Sequence, residues 1–223
     1  MNNNNVELLG WYGDDTIIAC SAWTSTSREL TEDKKERIPE LIKHLWSNSH
    51  ETPFEKASVH FLVNCDIASH IHLLKHRIAS INAESARYKE LVDDKYYLPE
   101  DWEGIKVKNT TMVGDEWLYP DWAGALNEYA ELGNQLYHNC LSDLTPILGR
   151  KRAKESARFF KTYNSQIQAD VQFNMRSFAN FLKLRYSEHA QLEIREIARE
   201  MLSLVQEIPG NPFEHTLKAF GYE

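Results

Sequence analysis

The chain has 223 residues, 42% of them hydrophobic and 26% charged, with a net charge of −8. That balance suits a globular protein with a real hydrophobic core and excludes a basic sheath for nucleic acid. The three cysteines, Cys20, Cys65 and Cys140, are odd in number, far apart and without a CxxC pair. Neither a disulfide scaffold nor a zinc knuckle is expected, and a reducing, cytoplasmic setting fits best. The opening MNNNNVELLG has no basic flank and no apolar run of signal-peptide length, and no stretch approaches the roughly 20 apolar residues that span a bilayer. Neither a membrane nor a nucleic acid is expected as a partner.

In chain order, VELLGWYG and TIIACSAW read as two strands about a Gly-Asp-Asp turn. TEDKKERIPELIKHLW reads as helical, with Thr31 as a cap, a restart at Pro39 and an apolar stripe of Leu41, Ile42 and Leu45. KASVHFLVNCDI alternates and is β-branched, so it reads as a strand. Asp66 then offers an N-cap for a helix over IASHIHLLKHR. In that helix Ile67, Ile71 and Leu74 share one expected buried face, while His72, Lys75 and His76 share another.

Residues 91–122 are less regular. Tyr96, Tyr97, Trp102, Trp117, Tyr119 and Trp122 give the stretch 95–122 an aromatic weight that suits an excursion packed over something. Helices are expected from Trp122 to Leu144 and through RKRAKESARFF, then a strand over SQIQADVQF. RSFANFLKLR and HAQLEIREIAREMLSLVQ read as helices, the second with Ala190, Ile194, Ile197, Met201 and Val205 on one face. NPFEHTLKAF is a short final helix. No repeat, linker or boundary interrupts the chain, so one domain is expected over 1–223.

Chemistry concentrates in KHRIASINAESARYKE, residues 75–90, where Lys75, His76, Arg77, Ser80, Asn82, Ser85, Arg87 and Tyr88 crowd together. The segment is either a solvated helix end with a polar loop or an anion site, in which Arg supplies planar forks and Ser and Asn add neutral hydrogen bonds. A second basic set comprises Arg158, Arg176 and Arg185. Arg185 follows an apolar run, so it either snorkels to the surface or points into a site. His72 and His76 have the H-x-x-x-H spacing, but Leu73 stands where a zinc protease needs Glu, so no metal site is expected. Ser85 has no Gly-x-Ser-x-Gly elbow, and the glycines form neither GxGxxG nor a Walker loop.

Together these residues resemble the flavin-dependent thymidylate synthases. Lys75-His76-Arg77, seven residues, Ser85 and then Arg87-Tyr88 follow that family's R-H-R signature. Upstream, His50, Glu51, Thr52, Pro53, Phe54 and Glu55 match its HETPFE region; downstream, ESAR, NMRSFANFLKLR and HAQLEI follow in family order. The resemblance implies an α+β fold with an antiparallel sheet and flanking helices, assembled as a homotetramer with active sites between subunits. It implies reductive methylation of dUMP to dTMP, with methylenetetrahydrofolate giving the one-carbon unit, NADPH reducing bound FAD and the flavin supplying the hydride.

By the same resemblance, Arg185 stabilises charge on the uracil, and His72, Lys75, Ser85, Arg87, Arg158 and Arg185 contact dUMP. Thr52, Lys75, His76, Arg77, Asn82, Asn174 and Asn180 match flavin-contacting positions or lie beside them. Ser85 is the natural nucleophile suspect, although direct hydride delivery needs no enzyme nucleophile. The chain departs from the family pattern at Lys75 (usually Arg), at Ile71-His72 (usually Arg-Gln), at Ala83-Glu84 (the acid usually directly follows Asn82) and at Lys161-Thr162 (usually Leu-Pro). Several of these fall at the nucleotide end. They leave room for another 5-substituted product, such as a hydroxymethyl nucleotide, or for an inactive nucleotide-binding homologue.

Overall fold

A computed structural model describes residues 3–107 and 121–222, so Trp117 and Tyr119 of the aromatic excursion lie outside the described residues. The first strand, β1 (Asn5–Tyr12), forms where expected. Gly13 then turns the chain at φ +84°, and a Cβ there would stand 2.9 Å from the Ala57 Cβ, so the close approach needs glycine. The following TIIACSAW is a helix, α1 (Asp15–Trp23), and not the second strand its Thr-Ile-Ile run suggests. Two aspartates decide it. The Asp14 carboxylate caps the first turn by accepting the Ile17 N–H at 2.7 Å. The Asp15 carboxylate accepts from the backbone of His215 and Thr216 and from the Thr216 hydroxyl. Tertiary anchoring overrides a weak β preference.

The restart at Pro39 is present: α2 (Glu32–Glu36), capped by Thr31, ends before α3 (Ile38–Ser47), which has Pro in its first turn. The helix α3 buries Ile38, Ile42 and Leu45, with Leu41 half-buried. After a 3-10 turn over Thr52–Lys56 comes β2 (Ser58–Asp66). The next helix, α4 (Ile67–Leu73), is capped as expected, Asp66 accepting the Ser69 N–H at 2.8 Å. It stops four residues earlier than expected and turns a different face inward. Ile71 and Leu74 are exposed, while Ser69, His70 and Leu73 are buried. Beyond Leu73 the backbone bonds run from Lys75 to His72 and from His76 to Leu73, the i−3 pattern of a tightening end. Within the polar segment a short strand follows, β3 (Ser80–Ala83).

The second half comprises α5 (Trp122–Leu148), α6 (Arg150–Ala157), β4 (Gln166–Asn174), α7 (Met175–Arg185), α8 (Leu192–Gln206) and α9 (Glu214–Phe220). The strands make one antiparallel sheet in the order β1-β2-β4-β3. His60 facing Asp170 and Ser58 facing Gln172 fix the β2–β4 register.

Contacts divide the chain into two compact units. One comprises Met1–Asn4, Asn64–Ile71 and Ala83–Gln168; the other Asn5–Val63, His72–Asn82 and Ala169–Glu223. In the second unit Val59, Phe61 and Val63 of β2 and Ala169, Val171 and Phe173 of β4 are fully enclosed. Phe178 and Phe181 of α7 pack on this face, their rings 5.9 Å from Phe61 and 5.1 Å from Phe173. The α8 stripe of Ile194, Ile197, Met201 and Val205 is buried as its period requires, whereas Ala190, expected on the same face, precedes the helix and is half-buried. In the first unit α5 packs on α6 through Tyr137, Leu141, Ala153 and Ala157. The three cysteines are free thiols.

Candidate functional site

In the second unit, α7 carries Arg176, Asn180, Lys183 and Leu184 at helical spacing along its polar face, and these line a cleft of about 860 Å³. Lys75, His76, Arg77, Ile78 and Ala79 form a second wall; Trp46, Phe220 and Tyr222 form an aromatic one. The site is thus cationic, with flat apolar surfaces beside the charges.

His76 is its hinge of charge. The ring is buried, stands edge-on to Phe181 at 4.9 Å, and its Nε2 accepts a 3.0 Å hydrogen bond from Arg185 Nε. Burial, then the Arg185 guanidinium, then His72 push its pKa down to about 4. Near neutral pH the imidazole is neutral, with the proton on Nδ1, and it can hold the guanidinium only in that form. Arg185 therefore does not snorkel: it is half-buried, tied to His76 and set in the cleft wall.

The HETPFE stretch is explained by its neighbours. Phe54 is fully buried against Trp46 and Phe220, with ring centroids 5.4 and 5.5 Å away. Glu51 and Glu55 hold the Arg176 fork at 2.7 and 2.6 Å. Asn174 caps α7 by accepting the Ser177 N–H at 2.8 Å. It lines a smaller, neighbouring cleft of about 360 Å³ with Ser80 and Gln172; Ile78 lines both clefts. Thr52 and Asn82 are exposed and line neither, and His72 is half-buried.

The other expected residues lie in the first unit. The Ser85 hydroxyl accepts the Arg87 backbone N–H at 3.3 Å, and the Arg87 guanidinium pairs with Glu155 at 3.1 Å. Arg158 is exposed in the 3-10 turn Arg158–Phe160. Glu84, displaced by one place in the sequence, has a structural use. It accepts from Lys89 at 2.6 Å and from the Gln168 N–H at 3.0 Å, and its own N–H donates to the Gln168 carbonyl.

Sequence reasoning missed Trp46, Lys183, Phe220 and Tyr222 as lining residues. Lys183 was readable from the polar stripe of α7. Phe220 and Tyr222 join only because α9 packs on α3, which no local pattern announces. Among the described residues no group of three or more His, Cys, Asp or Glu could hold a metal ion, and no helix is long and apolar enough to cross a membrane.

An α+β chain with a cationic, aromatic-walled cleft defines a class of protein that takes anionic ligands with flat rings. Comparison with known proteins is specific. The sequence model of the family described as thymidylate synthase complementing protein matches residues 7–209. The flavin-dependent thymidylate synthase of Pseudothermotoga lettingae is 30% identical over 208 residues, covering 91% of this chain and 85% of that protein. That of Thermosipho africanus is 30% identical over 221 residues, covering 98% and 92%. Among solved structures, the UMP/dUMP methylase PolB from Streptomyces cacaoi bound with 5-Br dUMP is similar at a TM-score of 0.76 and 26% identity, covering 99% of this chain and 96% of that one. The chain belongs to the flavin-dependent thymidylate synthase family of enzymes.

Proposed function

We propose that the protein catalyses reductive methylation of dUMP to dTMP as a homotetramer. Methylenetetrahydrofolate is the one-carbon donor, FAD the hydride carrier and NADPH the reductant. The Arg185–His76 hydrogen bond carries the reading, because it sets a cation in the wall of a cleft that also presents Lys75, Arg77 and Asn180. The cleft suits a flavin: guanidinium, ammonium and amide donors match pyrophosphate and ring heteroatoms, and Trp46, Phe220 and Tyr222 match flat rings. Its size falls within the ~300–1,000 Å³ of small-molecule sites.

Lys75, His76, Arg77 and Asn180 of this cleft would hold the flavin, which supplies hydride when bound, with Asn174 of the neighbouring cleft; Thr52 and Asn82, which line neither cleft, are assigned to the flavin by the family resemblance. His72, Lys75, Ser85, Arg87, Arg158 and Arg185 would hold the uridylate. Arg158 offers an exposed planar fork to its phosphate, Arg87 would share with it the guanidinium that pairs with Glu155, and Arg185 offers positive charge where negative charge builds on the pyrimidine. Ser85 would orient the uridylate, its hydroxyl already set by the Arg87 N–H, since hydride delivered directly from the flavin needs no enzyme nucleophile. Cys65 is poorly placed for a thiolate role, since burial, then Asp66, pushes its thiol far up.

The test is product analysis. Purified protein should carry a flavin spectrum and, given dUMP, methylenetetrahydrofolate and NADPH, form a nucleotide heavier by one methyl. Flavin without dUMP turnover removes the substrate assignment. The likeness to a UMP/dUMP methylase favours UMP as a second acceptor; parallel assays decide it by which nucleotide gains mass, and a hydroxymethyl gain would change the product.

A further inference from the structure

We infer that Lys161 is the positioning residue for the uridylate-binding loop of this protein, an inference that rests on the proposed role of Ser85, Arg87 and Arg158. Lys161 is an unusual cation, its side chain only 4% exposed. Its Nζ donates to Asp94 Oδ1 and Asn134 Oδ1, both at 2.7 Å, and to the Leu91 carbonyl at 3.4 Å. It also stands 4.5 Å from the centroid of the Tyr137 ring. Two of these partners, Leu91 and Asp94, belong to the loop that continues from Ser85 and Arg87.

Asp94 is built to receive it. Its backbone is left-handed at φ +48°, and its carboxylate also takes His138 Nε2 at 2.9 Å. Burial works to raise its pKa, but the hydrogen bonds from Lys161 and His138 outweigh that and hold it below the ordinary value. The Leu91 N–H donates to the Tyr137 hydroxyl at 3.1 Å, so the loop end is gripped through both backbone groups of one residue.

The other end of the loop is gripped by Glu84, whose carboxylate accepts the Gln168 N–H and whose own N–H donates to the Gln168 carbonyl. Between the grips the loop is held mainly by polar bonds, Arg87 pairing with Glu155 and the Lys154 ammonium donating to the Tyr88 carbonyl at 2.7 Å, while Leu91 packs on the Tyr137 cluster. The loop lies beside a cavity of about 60 Å³ lined by Glu84, Lys89, Leu91, Asp94 and Lys161. The polar grips at its two ends set its position. Lys161 also closes the turn that displays Arg158, its N–H donating to the Arg158 carbonyl at 3.1 Å. One buried ammonium thus ties the Ser85–Arg87 loop to the turn carrying Arg158, and so fixes the spacing of the groups proposed to hold one dianion. A charged group deprived of its buried partner is costly, so this joint is rigid rather than optional.

The experiment measures dUMP affinity by calorimetry, and KM and kcat, for the wild type, Lys161→Met and Asp94→Asn. Asparagine tolerates the left-handed backbone, so Asp94→Asn removes charge without backbone strain. Both variants should raise KM and Kd for dUMP by about tenfold, the scale of one lost charged hydrogen bond. Flavin content should stay at the wild-type level, and kcat at saturating dUMP should fall by less than about threefold. If the wild type binds dUMP but both variants keep its affinity within twofold while melting earlier, Lys161 is structural only and the inference falls. If the wild type itself does not bind dUMP, the uridylate reading fails and takes this inference with it. Should Lys161→Met not fold, Asp94→Asn alone decides between the outcomes.

Discussion

At the residue scale, the neutral state of His76 is what lets its Nε2 accept from Arg185 in the cleft wall. A protonated imidazole cannot accept from Arg185 and would set two cations side by side. The folded-state pKa of about 4 lies below the ordinary 6.5, so as pH falls the unfolded chain takes up this proton first. The His76 term is therefore silent above pH 6.5 and destabilises the fold progressively as pH drops to about 4. Urea midpoints measured across that range should decline more steeply for wild type than for His76→Asn; equal slopes would remove the assignment. Arg185→Ala should reduce dTMP formation by at least about 10²-fold, the scale seen when a group that stabilises developing charge is deleted. Unchanged circular dichroism would show that the fold is intact, a fall in kcat at saturating dUMP would show that the loss is chemical, and near-normal turnover would show that Arg185 has another use.

At the element scale, α1 and α4 show where local pattern yields to context. TIIACSAW has the β-branched look of a strand, but Asp14 caps it and Asp15 is clamped to the first turn of α9. Asp14→Ala should cost about 1 kcal/mol, as loss of an N-cap usually does. For a chain of this size that lowers Tm by roughly 2–4 °C, readable by calorimetry; an unshifted Tm would mean the cap is idle. For α4 the heptad-like spacing of Ile67, Ile71 and Leu74 was legible, yet Ile71 and Leu74 face outward. The helix is too short for its period to dominate, and the i−3 turns after Leu73 reset the direction of the following side chains. That reset matters to the site, because it is what buries His76 while leaving Lys75 and Arg77 exposed along the cleft.

At the scale of the whole molecule, the family resemblance leads us to expect four copies of the 26.0 kDa chain. Light scattering of the purified, flavin-loaded protein checks this, and a monomer of that mass would overturn it. The same preparation should oxidise NADPH only slowly in the absence of a nucleotide acceptor if acceptor and reductant are coupled in one cycle.

The sequence alone determined the family-level chemistry. Its motifs are short runs of fixed residue types, and residue identity at fixed spacing survives being read one letter at a time. It also determined β2 and α8, whose apolar periods run long enough to outvote local ambiguity, whereas the weaker alternation of β4 only suggested a strand. Only the tertiary structure decided that Arg185 faces inward, that Glu51 and Glu55 exist to hold Arg176, that Phe220 and Tyr222 wall the cleft, and that Lys161 grips the loop beyond Ser85. Each of those is a contact between residues far apart in the chain. Such contacts are chosen by which buried polar groups find partners when the elements pack, and no window of sequence contains both sides of that choice.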